Sequence, residues 1–306
     1  PNMKPQIRND LGLFCLCVAR PRAACVAPDA AWLRVYSFKN YQFDGVNTFV
    51  EVLGGGAVPS STVADMAFYD RIEVLRGASG LVTGVGDPSG TINMVRKKPT
   101  AEFQGSAEAS LGSWGDKRSV IDLSSALNAS GSVRGRLIAA GQDAESHIDN
   151  YGRKKGQIYG VVEADLTSTT RLTAGIEHER TKVKGQGSYV GFPLWFSDGS
   201  RTDLPVSFTG ASRDNRLDLE STKAFATLEQ QLGGDWKLKL SASHARSSHR
   251  EERTALNSDS TFYDTAGNGV TLGSARRVGD IEHSNLDVNL SGPFSLLGRE
   301  HELVVG

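Results

Sequence analysis

Ile158-Tyr159-Gly160-Val161-Val162-Glu163-Ala164-Asp165-Leu166 is the stretch on which the fold class turns. Ile158, Gly160, Val162, Ala164 and Leu166 alternate with Tyr159, Glu163 and Asp165. A period of two over this length is the pattern of a β-strand with unlike faces. Moving outward, the pattern recurs. Leu172, Ala174 and Ile176 alternate with Thr173 and Glu177; Val133, Gly135, Leu137 and Ala139 alternate with Arg134 and Arg136. Leu123, Ser125 and Leu127 oppose Asp122 and Ser124. Trp236, Leu238, Leu240 and Ala242 alternate with Lys237, Lys239, Ser241 and Ser243, and Leu286, Val288 and Leu290 alternate with Asn285, Asp287 and Asn289. Strands near ten residues with one polar face match the ~9–11 residues that a tilted strand needs to cross a bilayer.

The connections between these segments alternate in length. Residues 128–131, 167–169, 232–235 and 292–298 make short links, whereas 146–156, 184–219 and 250–281 make long ones. Short turns at one end and long loops at the other are the habit of an outer-membrane barrel. A soluble antiparallel sandwich, also rich in glycine and alternating strands, is the competing reading. The expected count is about nine strands. Bacterial single-chain barrels use even numbers and must close to hide their edges, so nine strands predict an open part of a larger barrel.

Composition narrows the function classes. The 34 Lys+Arg against 35 Asp+Glu leave a net charge of −1, without the basic stripe expected of a nucleic-acid binder. Glycine is abundant at 34 of 306 residues, hydrophobic residues are 39%, and charged residues 23%. The longest apolar run, Leu11–Ala19, is half of the ~18 residues required for a spanning helix. The three cysteines, Cys15, Cys17 and Cys25, crowd into the first 25 residues and form no disulfide framework. Residues 1–33 stay unassigned: they read either as a secretory leader, with Met3, Lys4 and Arg8 ahead of the apolar run, or as aberrant sequence. Pro1 and the strand-like His301–Gly306 read as the two ends of a piece cut from a longer frame.

Residues 34–98 have a different texture. Asn40-Tyr41-Gln42-Phe43-Asp44-Gly45-Val46 is polar-aromatic, and Arg71-Ile72-Glu73-Val74-Leu75-Arg76-Gly77 is strand-like. Gly84-Val85-Gly86-Asp87-Pro88-Ser89-Gly90-Thr91-Ile92-Asn93 follows, then Arg96-Lys97-Lys98-Pro99. This order resembles the end of the plug of TonB-dependent outer-membrane receptors, and is most similar to ferric-siderophore receptors of the coprogen and pyoverdine type. The resemblance runs from about residue 34 to the end. It implies an all-β fold: part of a transmembrane antiparallel barrel of the 22-stranded type, residues 101–306, preceded by the C-terminal part of an α+β plug, residues 34–100. The family's signal, TonB-contacting box and first part of the plug find no counterpart before Arg34, and Arg34-Val35-Tyr36 matches its Arg-Gly-Phe pattern only loosely.

The implied function is ferric-siderophore uptake across the outer membrane of a Gram-negative bacterium, with no enzymatic step. The implied partners are the ferric siderophore, the TonB–ExbB–ExbD complex and outer-membrane lipid. Iron would arrive already chelated, so neither a cofactor nor a protein metal site is called for. Another TonB-dependent substrate (haem, cobalamin) and a non-functional remnant are the alternatives. A passive porin or adhesin barrel is disfavoured by residues 70–99, since an open pore has no plug sequence ahead of its first strand.

Candidate site residues fall into three groups. Arg71, Glu73 and Arg76 lie along one strand, Arg71 and Glu73 on the same face, and in the family such charges pair with the barrel wall, where a charge needs a partner. Gly77, Gly80, Gly84, Gly86 and Gly90 permit the positive φ of tight plug turns; their spacing fits neither a dinucleotide fingerprint nor a nucleophile elbow. Tyr189, Phe192, Trp195 and Phe196, with Tyr41 in the plug, are candidates to line a siderophore vestibule. An aromatic girdle or packing within the loop is the alternative for the four loop residues. The six histidines are dispersed, and His244 and His249 lie on opposite faces of an ideal strand, so no metal site is expected.

Overall fold

The alternating segments pair in sequence order because each carries one apolar face that must leave water and one polar face that must not. In the computed structural model, which describes residues 40–48, 52–53, 58–59, 65–76, 90–186, 192–258 and 263–306, they form a single antiparallel sheet of nine strands. These are β7 (Gln104–Leu111), β8 (Lys117–Ala126), β9 (Val133–Glu145), β10 (Gly152–Asp165), β11 (Thr170–Lys184), β12 (Arg216–Gln231), β13 (Lys237–Ser258), β14 (Val270–Leu296) and β15 (Arg299–Val305). Each pairs with its sequence neighbours, leaving β7 and β15 as edges. The tightest turn, Leu297-Gly298 between β14 and β15, has φ of 54° and 75°. Positive φ at both central residues suits a two-residue hairpin, and glycine adopts it without strain.

The two faces of this wall meet different surroundings. Leu123, Leu137, Ile158, Val162, Ile176, Leu286 and Val288 are exposed on the outer face, where a soluble sheet would hide them. On the opposite face Ile138 and Tyr159 are 0% and 1% exposed, and Asp122, Gln157, Glu163, Glu177 and Lys223 are buried with them. Apolar outside and polar inside is the lipid-facing barrel pattern. No helix of the described residues is long and apolar enough to cross a membrane.

The strands are longer than the sequence alone suggests. β13 has 22 residues and β14 has 27, against an expectation near ten, and the long loops shrink to 146–151, 185–215 and 259–269. The apolar band stops, but nothing stops the hydrogen-bond ladder, which continues with charged residues on both faces.

A second, mixed sheet lies against the polar face. Its order is β2 (Val46–Thr48), β1 (Asn40–Phe43), β6 (Gly90–Arg96), β5 (Tyr69–Arg76), with β1 parallel to β6. A hairpin of β3 (Val52–Leu53) and β4 (Val58–Pro59) and a 3-10 turn at Met66–Phe68 complete the described plug elements. The helical component of an α+β plug does not occur among the described residues: here β-branched and aromatic side chains favour strands. Phe43, Phe68, Tyr69 and Met94 from the plug pack with Ile138, Tyr159 and Val161 from the wall in one core.

Val162 sits mid-way along the outer apolar face of β10. Val162→Arg is expected to destabilise the folded protein in lipid vesicles by about 2–4 kcal/mol, read from denaturant titration. An unchanged midpoint would show that this face does not meet lipid.

Candidate functional site at the seam of plug and wall

Where β6 ends, strand alternation turns Arg96 toward the wall. Its guanidinium donates to Asp44 Oδ2 at 2.7 Å and, through Nε, to Glu177 Oε1 of β11. It lies 4.1 Å from the ring centroid of Phe225 and 4.9 Å from that of Phe43, and its backbone N–H donates to Asp44 Oδ1 at 2.9 Å. Burial opposes the charge most strongly, yet the carboxylates of Glu177 and Asp44 more than offset it and hold the pKa above the ordinary arginine value. Phe225 has room because residue 175 is glycine: a Cβ there would stand 2.5 Å from the Phe225 ring. Lys223 Nζ, also buried, lies 4.2 Å from the Phe43 ring and 3.9 Å from Glu177.

Two further contacts flank this one. Asp65 caps the 3-10 turn by accepting from the Ala67 N–H at 3.0 Å, and takes a two-pronged bond from Arg118 of β8 at 2.7 and 2.5 Å. Burial would raise its pKa, but Arg118, the Ala67 N–H and Lys155 bring it below the usual aspartate value. Lys97 donates to Asp122 at 3.0 Å, and Asp122 is gripped by Arg136 at 2.7 and 2.6 Å. Tyr159 O–H donates to the Lys97 carbonyl at 2.9 Å while its ring stacks on Phe68 at 5.4 Å. Tyr69 is buried beside this seam, and burial followed by the Glu177 charge holds its phenol neutral.

Beyond the seam, the long loops meet through rings. Phe192 lies 5.4 Å from Phe208 and 5.1 Å from Tyr263, and Phe196 lies 4.9 Å from Tyr263. Trp195 remains 58% exposed and bridges to Arg201. Among the described residues no three His, Cys, Asp or Glu side chains group as metal ligands.

The fold is matched by known proteins. The chain is 39% identical over 275 residues to the ferripyoverdine receptor of Pseudomonas aeruginosa, covering 90% of this chain and 33% of that one. It is 37% identical to a ferric-pyoverdine receptor of Pseudomonas putida, covering 91% and 33%. The crystal structure of the P. aeruginosa ferripyoverdine receptor bound to ferripyoverdine superposes with a TM-score of 0.81 at 39% identity, covering 88% of this chain and 35% of that one. The chain is homologous to the ferripyoverdine receptors. No family model matches it. It spans about a third of the length of these relatives, and the homology places it in the outer membrane of a Gram-negative bacterium.

Arg71 is exposed and Glu73 half-buried, and they bond to each other at 2.7 Å, with Asp70 and Asn93 as further partners. They lie on β5, the edge of the plug sheet. Among the described residues the charge contacts with the wall are made instead by Asp65, Arg96 and Lys97. The side chain of Arg76 and residues Gly77, Gly80, Gly84, Gly86 and Tyr189 lie outside the described residues. Gly90 is buried with φ 145°, a conformation that other residues avoid. Tyr41 packs against the plug core; Phe192 and Phe196 are brought together through Tyr263, which sequence reading did not single out. Arg96 and Glu177 were in view, one closing the plug motif and the other on a polar strand face, but nothing local joins positions 81 residues apart.

Two outcomes follow. Glu177→Ala leaves Arg96 buried with one carboxylate fewer and is expected to cost about 3–5 kcal/mol, seen as faster protease cleavage of the plug; Arg96→Met in the same chain should restore much of the resistance. Asp65 has a depressed pKa when folded, so its contribution is full above the unfolded value of about 3.9 and is lost as pH falls through the lower, folded one. The stability gap between the parent and Asp65→Asn should therefore be constant near neutrality and close below about pH 4. A gap that persists at pH 2 would remove the ion-pair account.

Proposed function

We propose that this chain is the plug end and the first nine wall strands of a TonB-energised receptor that imports a ferric siderophore of the pyoverdine type. The buried Arg96–Glu177–Asp44 seam carries the reading, because a passive pore has no use for a plug locked into its lumen. The 39% identity with a ferripyoverdine receptor supports the substrate class. The division is taken as residues 34–100 for plug and 101–306 for wall. The cargo is an iron chelate held by contacts at the outer face, and no enzymatic step is assigned. Tyr41, Tyr189, Phe192, Trp195 and Phe196 remain the proposed siderophore-facing residues. Trp195 is the most accessible of those described, since Phe192 and Phe196 are occupied with Phe208 and Tyr263. Arg71, Glu73 and Arg76, on the plug edge away from the nine strands, are proposed to meet wall that the relatives carry beyond this segment.

Exchanging this chain for the corresponding third of the P. aeruginosa receptor tests the proposal. Cells whose sole ferripyoverdine receptor is the chimera should accumulate radio-iron from ferripyoverdine, and lose uptake when the proton gradient is collapsed. Trp195→Ala in the chimera should weaken binding about tenfold, in line with ~1–1.5 kcal/mol for one aromatic contact. A chimera that reaches the outer membrane but neither binds nor transports would refute the pyoverdine reading.

A further inference from the structure

β13 outruns its neighbour. It stays paired with β14 as far as Ser258, whereas its pairing with β12 stops where Arg216 stands opposite Glu252. A strand edge left open presents bare N–H and C=O groups. The chain leading into β12 covers part of this edge. The Leu256 N–H donates to the Gly210 carbonyl at 2.7 Å, the Ser212 N–H donates to the Thr254 carbonyl at 2.9 Å, and Ala211 bridges to Ala255. This short ladder is out of step with β12–β13, whose register continued outward would set Ala211 opposite Asn257. Residues 213–215 take up the slack as a bulge, and a bulge leaves backbone groups without ladder partners.

Asn215 sits in that bulge, 2% exposed, and its side chain supplies what the ladder lacks. Its Oδ1 accepts from the Thr254 N–H at 2.7 Å, and its Nδ2 donates to the Gln186 carbonyl at 2.8 Å. Its backbone carbonyl accepts from the Gly185 N–H at 2.9 Å, and its own N–H donates to the Ser212 carbonyl at 3.1 Å. One residue therefore ties the entry of the long loop, its exit and the edge of β13. The task needs a donor and an acceptor on one short side chain, which asparagine has and aspartate lacks. The β9–β10 turn closes on the same point. Gly185 has φ 63°, a Cβ there would stand 2.2 Å from the Asn150 carbonyl oxygen, and Arg213 donates to Asn150 Oδ1 at 3.3 Å. The rest of the described loop is carried on this base. Trp195 lies in a small hairpin closed by Thr202 N–H to the Leu194 carbonyl at 3.0 Å, and Ser197 N–H reaches the Tyr263 carbonyl at 2.6 Å.

We propose that Asn215 is a positioning residue for binding of the ferric siderophore. It touches no ligand; by closing the base of the loop it holds Phe192, Trp195 and Phe196 in the arrangement that receives the chelate. The inference rests on the siderophore reading. A loop ordered beforehand spares binding the entropy of ordering it. When only a fraction of the molecules is competent to bind, the apparent affinity falls by that fraction. The loss falls on association, because a ligand already bound still meets the same contacts.

The outer-membrane protein carrying this chain, extracted in mild detergent, provides the test. Surface plasmon resonance would give its association and dissociation rates with ferripyoverdine, and amide exchange the protection of Thr254. Asn215→Ala should raise exchange at Thr254 about tenfold as the loop base opens. It should slow association about fivefold and leave dissociation unchanged. Asn128→Ala removes the same kind of bonds, from Val133 N–H at 3.1 Å and to Ser132 Oγ at 2.8 Å, in a turn at the opposite end of the wall. It should keep both parental rates. If Asn215→Ala fails to fold, Asn215→Asp, which retains the acceptor for Thr254 and loses the donor to Gln186, should slow association about twofold. A parent that binds no ferripyoverdine would overturn the siderophore reading. A parent that binds, with the Asn215 variant associating just as fast, would overturn the positioning role alone.

Discussion

Arg96 is a cation taken out of water at the seam of two separately hydrogen-bonded sheets. A buried charge without partners costs several kcal/mol even after relaxation, so its position dictates much of what surrounds it. Glu177 must stand on the wall at that height, and Asp44 must occupy the β1–β2 turn. Phe43 and Phe225 must present their faces, and residue 175 must lack a Cβ so that Phe225 fits. Lys239 then reaches the Asp44 carbonyl at 3.0 Å, drawing β13 into the same network. Plug and wall are thereby held in one register by geometry that a sliding apolar contact would not impose.

A seam built from charges also differs from an oily one in what happens when it opens. Separated apolar faces must be rewetted at full hydrophobic cost, whereas separated carboxylates and guanidinium groups regain their hydration. That makes a keyed but releasable joint between the two sheets. The apolar cluster of Phe68, Tyr159 and Ile138 supplies the cohesion that the charges do not. Nearly all of the wall's remaining apolar surface points the other way, to lipid, which is why the polar face was free to become a docking surface.

The wall was legible because its signal is periodic and local. Alternation around Val162, Ile176 and Leu286 assigned both faces, and the turns fell close to where glycine, asparagine and threonine cluster. Strand ends were less legible: alternation does not mark where a bilayer stops, so β13 and β14 outran expectation. The seam was legible only as a motif. Arg96 closed a recognisable stretch, but its partner Glu177 looked like any polar residue on a strand face, and only the threading of the plug into the wall joins them. The aromatic loop showed the same limit, since Tyr263 comes from a different loop than Phe192 and Phe196.

The plug sheet is covered unequally, and that inequality has a physical reading. β1 and β6 present Phe43, Met94 and Arg96 to the nine strands and are buried. β5, at the far edge, leaves Val74 at 49% and Leu75 at 39% exposed beside the charged Arg71 and Glu73. An exposed sheet edge with apolar side chains is a template for unwanted pairing, and a protein that keeps one normally covers it. The two wall edges, β7 and β15, carry the same liability, and in a membrane unsatisfied edge groups are not tolerated at all. One arrangement relieves all three at once: a wall that continues around the plug until its edges meet, with β5 facing the far arc. The relatives, about three times as long as the matched segment, have the chain to build it.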